Sequence, residues 1–101
     1  MNALLKATPF WRPDDQERAA LLRHLLAELP IGHVLWPRQD SLSVEARDGD
    51  RIIVRSDDAA HPIALVHMSW AGRPPMASFL PETETYPTDA ALLAALIEGQ
   101  T

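Results

Sequence analysis

Cysteine is absent from this chain of 101 residues. Its absence excludes disulfide bridges, thiolate nucleophiles and cysteine-ligated metal sites. Glycine is scarce as well, and the four glycines form no glycine-rich loop that could hold a phosphate. No serine lies in the setting of a nucleophile elbow, so nothing in the sequence suggests a catalytic triad. We therefore predict no catalytic residues and no cofactor. The sequence favours a protein that is not an enzyme.

The sequence also lacks a dense run of basic residues. Its 9 Lys and Arg are outnumbered by 14 Asp and Glu, giving a formal net charge of -5 at pH 7. Because phosphate contacts supply most of the affinity for DNA and RNA, we expect no nucleic-acid partner. No hydrophobic run approaches a membrane span, and the apolar part of the first ten residues is too short for a signal peptide. We therefore expect a soluble, cytoplasmic protein with no membrane partner.

What the chain does contain is typical of a globular fold. Hydrophobic residues make up 47% of it and charged residues 23%, which is too apolar for a disordered protein. The length fits a single domain over residues 1–101, with a proline-punctuated lead-in over residues 1–12. Within the lead-in, Phe10 and Trp11 are expected to pack on the core or the first helix, since two adjacent aromatics are costly to leave in water.

One apolar run, residues 62–70, is expected to form the centre of the fold. Alternate side chains of a strand point to opposite faces, so Leu65 and His67 share one face, and Val66 and Trp70 the other. Both sets are largely apolar. The pattern predicts an interior strand that is covered on both sides.

A helix is predicted over residues 14–29. Asp14, with Glu17 three residues later, is an aspartate version of the capping box. Three- and four-residue spacing places an apolar stripe on this helix, formed by Leu22, Leu25, Leu26 and Leu29. Glu28 is expected on the exposed side.

A second helix is predicted at the C-terminal end. Thr88 is its expected N-cap and Gly99 its expected end. Its buried side is expected to contain Leu92, Leu93, Leu96 and Ile97.

A β-hairpin is predicted around residues 48–50, Asp-Gly-Asp, because residues 42–47 alternate between apolar and polar side chains. A two-residue loop would oppose Ala46 to Arg51 and mix the faces. A three-residue loop pairs Ala46 with Ile52 and Val44 with Val54, and we predict this register.

Three further segments have weaker signals. Residues 31–36 predict a short edge strand or an extended connection, residues 76–80 a last short strand or part of a loop, and residues 81–87 a polar loop. The whole pattern predicts an α+β fold: an antiparallel sheet of three to five strands with an N-terminal and a C-terminal helix, arranged as a two-layer sandwich. If both helices cover one face, the other face of the central strand needs the N-terminal aromatics, a loop or another chain to cover it.

A metal site is not predicted. His61 and His67 are six residues apart, which in a strand separates them by roughly 20 Å, too far to share a metal ion. Asp57, Asp58 and His61 lie in one turn, but turn-forming aspartates explain this cluster without a metal.

His67 is the main candidate binding residue, together with Trp70 and Arg73. It is either a core histidine bonded to a backbone carbonyl or helix end, or a site residue at the exposed end of the strand. Arg47, Arg51 and Arg55 are predicted to share an outward face with Glu45. They form either a patch that binds an anion or an acidic partner, or a solvated hairpin face.

Residues 64–73 read Ala-Leu-Val-His-Met-Ser-Trp-Ala-Gly-Arg. This run resembles a segment of certain small bacterial proteins of unknown function, in which a Val-His-Leu/Met-Thr/Ser-Trp strand follows a charged hairpin and precedes a proline-containing segment. The matching residues are His67, Trp70, Gly72, Pro74 and Pro75. The resemblance covers these ten residues closely and the order of elements loosely. It implies a bacterial source and a related fold, and no activity.

Two functions follow as expectations. The first is a non-enzymatic protein-interaction module, either a homodimer or the partner of another protein, because the central strand is apolar on both sides. The second is a small-molecule-binding protein or minor enzyme with a pocket near His67 and Trp70. A cavity that reaches His67 distinguishes the second function from the first.

Overall fold

The computed structural model of the protein describes residues 2–77 and 80–98. In chain order, its elements are helix α1 (Asn2–Ala7), helix α2 (Asp15–Glu28), a 3-10 helix (Trp36–Ser41), strands β1 (Ser43–Asp48), β2 (Arg51–Arg55), β3 (Ile63–His67) and β4 (Thr83–Tyr86), and helix α3 (Asp89–Glu98). The strands form one antiparallel sheet in the order β1-β2-β3-β4. The predicted α+β fold, an antiparallel sheet with an N-terminal and a C-terminal helix, is confirmed. No helix in the described ranges is long and apolar enough to cross a membrane.

Strand β3 lies inside the sheet, between β2 and β4, as predicted. Its first four residues are all buried, so side chains on both faces are covered. The strand is shorter than residues 62–70 because its hydrogen bonding changes at the C-terminal end. The Ser69 amide donates to the side chain of Glu28 at 3.2 Å, and Trp70 has a left-handed φ of 61°. The apolar run therefore continues into a turn.

The sheet is covered on both faces by helices from this chain. Helix α2 packs on the first face, in a buried cluster with Val44, Ile52 and Val66 among others. Helices α1 and α3 pack on the second face, in a separate cluster with Ile53 and Leu65. The layers therefore differ from the predicted two-layer sandwich: the helices lie on opposite sides, because β2 and β3 are apolar on both faces and each face must be buried.

The two N-terminal aromatics have different environments. Phe10 is buried in the cluster on the second face, as expected. Trp11 is half exposed, and its backbone forms an isolated bridge with Arg47 at the outer edge of β1. The lead-in also contains helix α1, which was not predicted, and Leu4 of that helix is buried on the second face.

Helix α2 begins as predicted. The Asp14 side chain accepts a hydrogen bond from the Glu17 amide at 2.8 Å, which caps the first turn. The buried residues of the helix, however, are Leu21, Leu25 and Glu28, whereas Leu26 is exposed. The buried stripe is thus rotated from the predicted one, and the expectation that Glu28 lies on the exposed side is wrong.

The hairpin register differs from the prediction after one correct pair. Val44 does lie opposite Val54, but Ala46 lies opposite Ile53, and a two-residue turn of Gly49 and Asp50 joins the strands. The register shifts between Val44 and Ala46, where Glu45 is the extra residue of a β-bulge. The bulge places Val44 in the buried cluster of the first face and Ala46 in that of the second.

The remaining segments require further corrections. Residues 81–87, predicted as a polar loop, contain strand β4. Residues 31–36 form turns that lead into the 3-10 helix instead of a strand. In the segment 76–80, residues 76, 77 and 80 are not in a strand, and residues 78 and 79 lie outside the described ranges.

Helix α3 has its predicted cap. The Thr88 hydroxyl accepts a hydrogen bond from the Ala91 amide at 3.1 Å. Leu92 and Leu96 are buried as expected, but Ile97 is half exposed. Gly99, the expected end of this helix, lies outside the described residues.

Candidate functional site

A cleft of about 290 Å³ opens on the second face of the sheet and reaches His67. Its floor is Leu65 of β3, and the side chains of Ala95 and Leu96 on α3 form an apolar wall. The polar lining consists of Arg51, His67, Glu84 and Tyr86. We call this space the His67 cleft. Small-molecule sites combine apolar surface with a few polar groups that fix the orientation of the ligand, and the lining of this cleft is at least as polar as it is apolar.

The sheet register places the polar residues of the His67 cleft. Arg51 lies directly opposite His67 on the neighbouring strand, and Glu84 lies opposite Leu65. Directly opposed side chains on one face are roughly 5 Å apart at Cβ, and diagonal neighbours roughly 7–8 Å. Two basic side chains therefore lie side by side at one end, with a carboxylate diagonally across the floor.

His67 is half-buried at the C-terminal end of β3. Its backbone amide donates to the carbonyl of Glu82 at 2.8 Å, which holds the strand end in place. Its ring makes no hydrogen bond to any residue within the described ranges. Within those ranges the ring therefore lacks the backbone-carbonyl bond of a core histidine, and its role as a site residue stays a prediction.

Arg51 is held by groups outside the cleft. Its guanidinium bonds to the carboxylate of Asp48 and lies over the Phe10 ring, with Cζ 4.9 Å from the ring centroid. A cation over an aromatic face is stabilised by the ring's electron density. These two contacts restrain the side chain. The guanidinium has five N–H donors, so some of them remain available to a ligand.

Glu84 and Tyr86 form the opposite end of the cleft. The Tyr86 hydroxyl donates to Glu84 Oε2 at 2.7 Å. Burial and the adjacent Glu84 carboxylate raise the pKa of Tyr86 to about 12. The phenol is therefore protonated at neutral pH and acts as a fixed donor that orients Glu84.

The two ends of the cleft do not neutralise each other. Arg51 pairs with Asp48, and within the described ranges no ion pair joins Arg51 or His67 to Glu84. Opposite charges therefore face a common space without direct contact. No group of three histidine, aspartate or glutamate side chains able to hold a metal ion occurs among the described residues.

Trp70 lies on the other side of the sheet from His67, so the two do not line one pocket. Its ring packs against the buried cluster of the first face and lies 5.6 Å from the His24 ring, edge to face. Its indole N–H donates to Asp50 Oδ1 at 2.6 Å, and Arg47 Cζ lies 5.3 Å from the ring centroid. These contacts offset the strain of a left-handed tryptophan.

A second cleft, of about 330 Å³, lies beside this turn. It is lined by Arg23 and His24 of α2, by Gly72, and by two alanines of the same helix, Ala20 and Ala27. Arg73 follows Gly72 in the chain and is exposed. It forms no ion pair within the part of the chain that the structure describes.

The three hairpin arginines do not share one face. Arg47 lies on the α2 side, where its guanidinium bonds to Glu17 Oε1 at 2.8 Å. Arg51 and Arg55 lie on the second face, and Arg55 pairs with Glu45 and Asp89. The bulge at Glu45 separates them, because it shifts the alternation of β1 by one residue. Each arginine therefore already has an acidic partner.

Two buried polar residues were not recognised as structurally important from the sequence. Glu28 is fully buried, and its Oε1 accepts hydrogen bonds from the Ser69 amide at 3.2 Å and hydroxyl at 2.6 Å. His33 is buried, and its ring joins the turn after α2 to the segment before β4. The spacing of Leu21, Leu25 and Glu28 was the available signal for the first residue. A histidine in a short apolar turn was the signal for the second.

Comparison of the chain with protein-family models, with curated proteins and with solved structures finds no match in any of the three.

Proposed function

We propose that this protein binds a small molecule in the His67 cleft. The observation that carries the proposal is the cavity itself: an apolar floor and wall beneath an arginine, a histidine, a carboxylate and a phenol. Its volume, about 290 Å³, is close to the lower end of the range for ligand pockets, which favours a small metabolite. No nucleophile with an adjacent base lines the cleft, so the proposal is binding without catalysis.

A variant that fills the cleft tests this proposal. Ala95 lines the cleft from α3, and its neighbour Ala94 is exposed. Ala95→Phe should abolish ligand binding, whereas Ala94→Phe should bind as the wild type does. Ligand-observed NMR with a mixture of small polar metabolites provides the measurement. Binding that survives in Ala95→Phe, or no binding by the wild type to any component, would contradict the proposal.

We propose as a second candidate that the protein also contacts another protein, in the simplest case a second copy of itself. Three large apolar side chains flank the contact between His33 and Pro81: Ile31 is 78% exposed, Val34 55% and Leu80 37%. Adjacent exposed apolar side chains of this kind are typical of interaction surfaces. The original reason for a partner, an uncovered sheet face, is weaker because the helices of this chain cover both faces.

Sedimentation at micromolar concentration tests the second candidate. A dimer that dissociates when Ile31 and Val34 are changed to Asp would support it. A wild-type protein that remains monomeric and retains no other protein would count against it. For both candidates, we propose a bacterial cytoplasmic location, which cell fractionation of the source organism would test.

A further inference from the structure

We infer that the ligand of the His67 cleft is a small zwitterion that carries a carboxylate, an ammonium group and an apolar side chain, as a free amino acid does. This inference rests on the proposed function, because it names the class of molecule for the same cleft. It is carried by the separation of groups in the lining: the Arg51 guanidinium with the His67 ring at one end, the Glu84 carboxylate at the other, and no ion pair between the ends within the described ranges.

The basic end suits a carboxylate. Arg51 offers a planar guanidinium that is already restrained by Asp48 and by the Phe10 ring. His67 lies directly opposite Arg51 in the register. Both nitrogens of its ring are available to a ligand, because the ring has no hydrogen-bond partner in the described part of the chain. Arginine recognises carboxylates through paired N–H donors, and a neighbouring imidazole adds a further donor.

The acidic end suits an ammonium group. The Tyr86 hydroxyl occupies Glu84 Oε2 at 2.7 Å and fixes the orientation of the carboxylate. Glu84 Oε1 remains available to accept a hydrogen bond. Because Glu84 is diagonal to His67 across Leu65, a ligand above the floor contacts both ends at once.

The apolar lining suits the rest of the molecule. Leu65 forms the floor, and Ala95 and Leu96 form the wall against which an aliphatic or aromatic side chain would pack. An anion alone would place a like charge near the Glu84 carboxylate, and a cation alone would place one near the Arg51 guanidinium. A zwitterion satisfies both ends.

Titration of the protein with L-leucine and L-phenylalanine, followed by amide NMR shifts, tests the inference. We expect shifts at residues 51, 65–67, 84 and 95–96. N-acetyl-L-leucine lacks the ammonium group and L-leucinamide lacks the carboxylate. Each should bind about tenfold more weakly than L-leucine, the loss expected for one charge-assisted hydrogen bond.

Charge-neutralising variants assign the two ends. Glu84→Gln should weaken L-leucine binding about tenfold but should not weaken the binding of N-acetyl-L-leucine, which has no ammonium group to lose a partner. Its control is Glu82→Gln, which removes the same charge from an exposed residue outside the cleft. Arg51→Gln should weaken L-leucine but not L-leucinamide, with Arg55→Gln as the control on the same strand and face.

The results separate the inference from the proposed function. If N-acetyl-L-leucine or L-leucinamide binds in the cleft as tightly as L-leucine, the zwitterion inference is wrong and the proposed small-molecule site stands. If neither amino acid shifts any cleft amide while another metabolite does, the inference is likewise wrong. If no small molecule shifts a cleft amide, both fail.

Discussion

The stability of the fold should depend on the neutral form of His33. Its Nδ1 accepts a hydrogen bond from the Leu35 amide at 3.0 Å, and its Nε2 lies 2.8 Å from the carbonyl oxygen of Pro81. A backbone amide can only donate and a carbonyl can only accept. The ring must therefore be the neutral tautomer with its proton on Nε2. Protonation of Nδ1 would point its N–H at the Leu35 amide, which is also a donor, in a site that is only 2% exposed.

Two substitutions at His33 differ in what they preserve. His33→Ala removes the acceptor of the buried Leu35 amide and leaves a cavity, so we expect the free energy of unfolding to fall by about 3 kcal/mol. Asparagine can accept a hydrogen bond from the amide two residues on. His33→Asn therefore keeps that contact and loses mainly the bond to Pro81, with an expected loss of about 1 kcal/mol at pH 7.

The pH dependence has a definite sign. Burial lowers the pKa of His33 below its ordinary value, although the bond to the Pro81 carbonyl partly opposes the shift. The unfolded chain therefore binds a proton more readily than the folded one. The contribution of His33 is complete above the unfolded pKa of about 6.5 and is lost as the pH falls from there towards the folded pKa. Between pH 7 and pH 5 this loss is at most about 2 kcal/mol.

Urea unfolding of the wild type and His33→Asn at several pH values measures the effect. The stability difference between them should shrink as the pH falls from 7 to 5, because only the wild type contains the group that must remain neutral. His61→Asn is the matched control, since His61 is exposed in the connection between β2 and β3. Parallel pH profiles for the wild type and His33→Asn would refute the assigned tautomer and its role.

Three further predictions follow from other contacts. Tyr86 is the single tyrosine of the chain, so an absorbance titration should show one phenol with a pKa of about 12, and Glu84→Gln should lower it towards the ordinary value of about 10. Glu28→Ala should lower the free energy of unfolding by about 2 kcal/mol, and Glu28→Gln by about half as much, because glutamine retains an acceptor for Ser69. Thermal unfolding measures both losses, and equal losses would argue against this contact. Trp11→Pro removes the amide that donates to the edge of β1 and should cost about 1 kcal/mol more than Trp11→Ala, which keeps the amide; indistinguishable denaturation curves would show that the bridge contributes nothing.

The centre of the fold was predictable because it depends on local patterns. The two-sided apolar run identified β3 as an interior strand, and the Asp14 cap located the start of α2. Both signals come from residues close together in the chain, where strand alternation and capping geometry constrain the structure directly.

The sequence predictions were wrong in two situations. In one, an inserted residue reverses the alternation of side chains along a strand; in the other, a polar segment forms a strand by pairing with residues distant in the chain. The bulge at Glu45 moved Ala46 to the opposite face, and no rule of alternation anticipates an inserted residue. Strand β4 reads Thr-Glu-Thr-Tyr and becomes a strand by pairing with β3, so its polar composition suggested a loop. Because this segment was predicted as a loop, two residues that β4 places in the His67 cleft, Glu84 and Tyr86, were not identified as candidate site residues.

The two edge strands of the sheet, β1 and β4, differ in whether their backbone can pair with a further strand. Along β1, the backbone of Trp11 already pairs with Arg47 in both directions, at 3.0 and 2.9 Å, and Pro9 and Pro13 near it prevent a longer ladder from forming. Beside β4, no further strand lies within the described ranges. If two copies paired through β4, that edge strand would be used in both, and the Trp11 bridge and the two prolines would oppose further addition at β1.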